Sequence, residues 1–179
     1  MKEVRFHGRG GQGIVKGAQT LVQSIVLEGN YAQFIPYFGV ERKGSPVFGF
    51  LRIDDKEIRP KTQVYEPDCI IVFDDTLIED GQIFKGFKDQ GVLVINTKKN
   101  LEELQLPDNY SKVGLVDATG MTIDAIGRNI PNSAMLASFV KVTGWCDIYT
   151  LFDSIEEGFG RKNRELAQNS YDNTIIYNK

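Results

Sequence analysis

KEVRFHGRGGQGIVKGAQTLVQSIVLEG, residues 2–29, decides how the chain begins to fold. Its first six residues, KEVRFH, alternate polar and apolar in the manner of a strand. HGRGGQG, residues 7–13, then places four glycines in a row of seven with no apolar side chain. From Gly13 to Gly29 the apolar residues fall at 14, 15, 18, 21, 22, 25 and 26, which is helical spacing, and Gly29 is a natural stop. The order is strand, glycine loop, helix. Bare backbone at such a junction lets something come close. A phosphate or other anion would meet the first amides of the helix, which favour negative charge. A neighbouring chain packed tightly on strand and helix demands the same absence of side chains.

Gly8-x-Gly10-x-x-Gly13 fits the dinucleotide pattern in the right context. That pattern also needs an acidic residue at the end of the second strand to hold a ribose hydroxyl. Here the second strand ends Tyr37-Phe38-Gly39, and Glu28 lies at the end of the helix, which argues against NAD or FAD. No Gly-Lys-Ser/Thr follows, so the loop is not a Walker A motif.

Working outward, YAQFIPYF (31–38) and PVFGFLRI (46–53) read as strands joined by the loop GVERKGSP. Asp54-Asp55 reads as a tight turn into a short strand at 57–59. DCIIVFDD (68–75), VLVINT (92–97) and KVGLVDAT (112–119) are apolar and β-branched, as strands buried on both faces are. The segments between them, TLIEDGQIFKGFKDQG and KKNLEELQLPDN, have helical composition. MTIDAIGRNI, SAMLASFVKVTG and IYTLFDSIEEGFG read as helices, with Pro131 between the first two. RKNRELAQNSYDNTIIY reads as a polar helix. The expectation is one α/β domain over residues 1–179: a three-layer sandwich with a mixed, mostly parallel sheet and a helical C-terminal part, its tail at 160–179.

Composition narrows the function classes. The 179 residues carry a net charge of −3, which leaves no excess of cations for a chain whose main work is holding nucleic acid. No apolar run approaches the roughly 18 residues that span a bilayer. The start lacks a signal-peptide core, so a cytoplasmic address is expected. Cys69 and Cys146 have no CxxC neighbour and, with the single histidine His7, cannot build a four-ligand zinc or iron–sulfur site. They read as two reduced, buried thiols. His7 has no nucleophile or paired acid at telling spacing and reads as structural or loop-orienting.

Other positions keep two readings. Glu41-Arg42-Lys43-Gly44 interrupts an aromatic-rich stretch, as an interface or ligand loop does, and is equally a solvated turn. Asp74 and Asp75 end a buried strand, where α/β sheets place ligands, but capping of the following segment is the plainer reading. Asp117 is the same case. Asn132 or Ser133 is a natural helix N-cap.

Four motifs in order, HGRGGQG with its helix, FIPYFGVERKGSPVFGFLRI, PDCIIVFDDTLI and IPNSAML, resemble the gamma subunit of 2-oxoacid:ferredoxin oxidoreductases, most closely the pyruvate branch. The resemblance runs to about residue 160. It implies a multi-subunit enzyme that oxidatively decarboxylates a 2-oxoacid with coenzyme A (CoA), giving acyl-CoA (acetyl-CoA from pyruvate) and carbon dioxide in anaerobic metabolism. It implies alpha, beta and ferredoxin-like delta subunits as partners, and ferredoxin or flavodoxin as acceptor. Thiamine diphosphate, magnesium and [4Fe-4S] clusters would sit on the other subunits, none on this chain alone. For this chain it implies support of assembly and a lining for part of the CoA path. No catalytic residue and no metal ligand is implied. The residues for CoA phosphates or a subunit contact would be Gly8, Arg9, Gly10, Gly11, Gln12, Gly13, Glu41, Arg42 and Asn132. A free-standing nucleotide- or CoA-binding α/β module is the rival reading.

Overall fold

The computed structural model describes residues 1–37, 44–79 and 81–179. One seven-stranded sheet organises them, in the order β2-β3-β1-β4-β5-β6-β7. The strands are β1 (Lys2–Arg9), β2 (Tyr31–Tyr37), β3 (Pro46–Asp54), β4 (Cys69–Val72), β5 (Gly91–Asn96), β6 (Tyr110–Val116) and β7 (Ile175–Asn178). β1, β4, β5 and β6 are parallel neighbours and form the middle. β2 and β3 add an antiparallel flank on one side, and β7 another on the far side. The sheet is therefore mixed and parallel in its middle, as expected from the apolar runs of β4, β5 and β6.

The five α-helices among the described residues share one face: α1 (Ile14–Leu27), α2 (Ala118–Ile126), α3 (Asn132–Thr143), α4 (Ile148–Phe159) and α5 (Arg161–Asn173). Their apolar stripes meet Val4, Phe6, Leu51, Cys69, Ile71 and Val94 from the sheet. α3 lies deepest, with Met135, Leu136 and Phe139 fully buried. Its buried serines stay satisfied, since Ser138 Oγ reaches the Ala134 carbonyl at 3.0 Å and Ser170 Oγ at 2.9 Å.

The opposite face is covered differently from the sequence expectation. In their described residues, the segments between β4, β5 and β6 form only 3-10 turns, Asp75–Ile78, Gln82–Phe84 and Leu101–Glu103, in place of the expected helices. Ile78, Ile83 and Phe87 still cover Ile70, Val72, Leu93 and Ile95, so the third layer exists without α-helices. Between β4 and β5 the glycines at 81 and 86, both at positive φ, interrupt the segment before a second helical turn can form; between β5 and β6 the turn ends at Glu103, with Pro107 shortly beyond. Two further differences concern strands. No strand forms at 57–59; Arg52 instead holds that loop, donating to the carbonyls of Pro60 (3.5 Å), Thr62 (2.9 Å) and Gln63 (3.2 Å). The C-terminal segment is not one helix: α5 ends at Asn173 and β7 follows as an edge strand on β6. Among the described residues, no helix is long and apolar enough to cross a membrane.

Candidate functional site

The site is set by chain direction. β1 leaves its carboxyl end into α1 on the helical face. β4 leaves its own carboxyl end into the 3-10 turns of the other face. The crevice between two parallel strands whose connections diverge is where α/β sheets bind ligands. Here it is flanked by residues 8–13 and by Phe73-Asp74-Asp75.

Within the glycine loop, two of the glycines make room for the chain itself. A Cβ on Gly8 would lie 2.5 Å from Ile14 Cδ1 and 2.8 Å from Phe73 Cβ. Gly13, at φ 75°, caps α1 with its backbone, and a Cβ there would lie 2.7 Å from Asn132 Nδ2. Asn132 is not the N-cap of α3, a place that Pro131 takes. It is buried between the helix starts, donating Nδ2 to the Gly13 carbonyl at 3.4 Å and accepting from Ser133 N at 2.8 Å. Gly11, at φ 97°, has open space around it and forms the tip.

Gln12 turns inward, and the half-buried Arg9 is held along the surface of the crevice. Gln12 is buried; its Oε1 accepts from Arg9 N at 2.7 Å and its Nε2 donates to the Phe73 carbonyl at 3.4 Å. Asn96, which the sequence reading did not single out, donates to the same carbonyl at 2.8 Å and to Thr119 Oγ1 at 2.7 Å. Arg9 bonds to Asp74, Thr76 and the Gly44 carbonyl. Gly10 N donates to the Ser45 carbonyl at 2.9 Å, so the loop before β3 is brought against the glycine loop. Glu41 and Arg42 lie outside the described residues.

The aspartates serve as caps and struts. Asp74 accepts from Thr76 N at 3.1 Å and Asp117 from Gly120 N at 2.8 Å. Asp75 accepts from Thr97 Oγ1 at 2.6 Å. Two pairs continue along the carboxyl edge, Lys99–Asp75 at 3.9 Å and Lys98–Asp117 at 3.7 Å. Lys16 stands apart. It is exposed in the first turn of α1, where no acidic residue and no side-chain cap is present, and it has no ion pair among the described residues. A cation there opposes the helix dipole.

His7 is buried beside Phe48, the rings 5.6 Å apart, and no triad surrounds it. Burial, then the nearby charge of Arg5, hold its pKa down at about 3. Both thiols are free and buried. Burial above all, then Asp68, pushes Cys69 up. Burial, then the Glu28 carboxylate accepting at 2.9 Å, pushes Cys146 up. Among the described residues no group of three or more His, Cys, Asp or Glu that could hold a metal ion is gathered.

The fold and the site define an α/β domain whose glycine loop and strand ends meet at the carboxyl edge of a mixed sheet. Residues 3–172 match the family model described as pyruvate ferredoxin/flavodoxin oxidoreductase. The common gamma subunit of the pyruvate/ketoisovalerate oxidoreductases of Thermococcus kodakarensis is 43% identical over 183 residues, covering 99% of each chain. The gamma subunit of the NADH-dependent phenylglyoxylate dehydrogenase of Aromatoleum evansii is 47% identical over 169 residues, 94% of this chain and 88% of the other. The crystal structure of pyruvate oxidoreductase subunit PORC of Thermotoga maritima superposes with a TM-score of 0.85 at 32% identity, covering 98% and 97%. The chain belongs to the pyruvate ferredoxin/flavodoxin oxidoreductase family, and within it to the gamma subunits of multi-subunit 2-oxoacid oxidoreductases.

Proposed function

We propose that this chain serves a pyruvate:ferredoxin or flavodoxin oxidoreductase in the cytoplasm, built with alpha, beta and delta subunits. The complex converts pyruvate and CoA to acetyl-CoA and carbon dioxide. Thiamine diphosphate, magnesium and [4Fe-4S] clusters belong to the other subunits, and no step of the chemistry is performed by a side chain of this one. Its part is to dock on the partner chains and to line the CoA path with residues 10–13. The observation that carries the CoA reading is the start of α1: its backbone cap, its lack of any acidic residue and the misplaced Lys16 suit an anion that is not part of this chain.

Anaerobic purification of the tagged chain from its native cells tests this. The expected result is co-purification of chains carrying thiamine diphosphate and iron–sulfur clusters, with CoA-dependent pyruvate oxidation in the eluate. A chain that comes down alone and without activity would overturn it. Oxidation of another 2-oxoacid in place of pyruvate would correct the substrate only.

A further inference from the structure

Arg9 closes β1 at the crevice, and its guanidinium is bonded on three sides. Nε donates to Asp74 Oδ2 at 3.2 Å, Nη2 to Thr76 Oγ1 at 2.7 Å and Nη1 to the Gly44 carbonyl at 3.3 Å. Thr76 Oγ1 in turn donates to Asp74 Oδ1 at 2.5 Å, so the acceptors are themselves held. The main chain is tied at the same place, through Gly10 N to the Ser45 carbonyl at 2.9 Å and Gly44 N to the Gly10 carbonyl at 3.3 Å. One side chain thus joins three segments: the glycine loop, the start of β3 and the turn after β4.

The family resemblance offers Arg9 to the phosphates of CoA or to a subunit contact. We propose instead that Arg9 is a positioning residue, a clasp that fixes the glycine loop against the turn after β4 and acts on CoA through loop geometry without touching its phosphates. Three of the five guanidinium N–H groups are engaged, one of them by a carboxylate, so swinging the side chain onto an anion would break those bonds and leave Asp74 without its counter-charge. A lysine cannot replace it, because a point charge does not reproduce a planar fork that serves three acceptors. The proposal rests on the reading of residues 10–13 as part of the CoA path.

Asp74 decides between clasp and ligand, because the two roles predict opposite signs. In the reconstituted complex, Arg9→Gln, Asp74→Asn and the milder Thr76→Val are compared with the wild type. The readouts are KM for CoA, KM for pyruvate, and subunit composition. For a clasp, Arg9→Gln and Asp74→Asn each raise KM for CoA by about tenfold, and the double variant by no more than either. Thr76→Val raises it less, and KM for pyruvate and the subunit composition stay as in the wild type. If Asp74→Asn or Thr76→Val lowers KM for CoA while Arg9→Gln raises it, Arg9 is released onto the anion and the clasp is overturned. If all three leave KM for CoA unchanged, the clasp is also overturned. Lys16→Glu then separates the two readings: a raised KM for CoA keeps the CoA path, and an unchanged one removes it as well.

Discussion

His7 is an imidazole with both ring nitrogens buried and without a hydrogen-bond partner. Its pKa in the folded chain is about 3, against an ordinary 6.5. The unfolded chain takes up a proton below about pH 6.5 and the folded chain does not, so unfolding binds a proton across that window. The stability His7 contributes by staying neutral is complete above pH 6.5 and is lost as pH falls toward 3, by up to ~1.4 kcal/mol per unit. Between pH 7 and 5 the melting temperature is expected to fall by roughly 4–8 °C for a chain of this size. In His7→Phe the fall over that interval is expected to flatten; parallel pH profiles for the two proteins would refute the assignment. Gly8 carries a second prediction at this scale. Its missing Cβ is space already filled by Ile14, Gln12 and Phe73. Gly8→Ala is expected to cost about 1–3 kcal/mol in a denaturant melt of the isolated chain. The sequence reading left open an outside occupant for all four glycines. Which of them face the chain's own residues depends on Phe73 and Asn132, distant in sequence, and so was not legible.

At the scale of elements, the strand–loop–helix opening and the buried strands were legible because their periodicity is long and their boundaries are marked by glycine and aspartate. What failed is short or tertiary. The 3-10 turns after β4 and β5 have helical composition but too few uninterrupted residues for a helix to nucleate. β7 is four residues long, and its assignment depends on the free edge of β6, which no local pattern reveals. It nonetheless closes both cores. Ile176 packs toward the helices and Tyr177 toward the 3-10 face, while Lys179 N donates to the Ser111 carbonyl at 2.9 Å. Deleting residues 175–179 is expected to lower the melting temperature by roughly 5 °C, the loss of about 2 kcal/mol of partly buried apolar surface. It also bares the edge of β6, so concentration-dependent aggregation in light scattering is expected. A truncated chain that melts and stays monomeric like the wild type would reduce β7 to an appendage.

Across the whole molecule, the charges described at the carboxyl edge are paired within the chain except at the start of α1. Arg9, Lys98 and Lys99 each have an aspartate, while Lys16 faces the positive end of α1 alone among the described residues. In the isolated chain that arrangement costs about 0.3–1 kcal/mol relative to an acidic residue at the same place. A destabilising charge that is useful only in company predicts opposite effects in the two states. Lys16→Glu is expected to raise the melting temperature of the isolated chain by roughly 1–3 °C. In the complex, if the proposed CoA path meets the start of α1, the same substitution places a second negative charge beside the anion. There it is expected to raise KM for CoA severalfold, with the rise diminishing at high ionic strength because the charge is exposed. Should KM for CoA stay fixed while the chain dissociates from its partners at lower salt, Lys16 faces a partner carboxylate, and the glycine loop belongs to the subunit contact. Should the variant gain stability alone and lose nothing in the complex, no anion meets α1 in either state, and the bare backbone of residues 10–13 answers only to the packing of this chain.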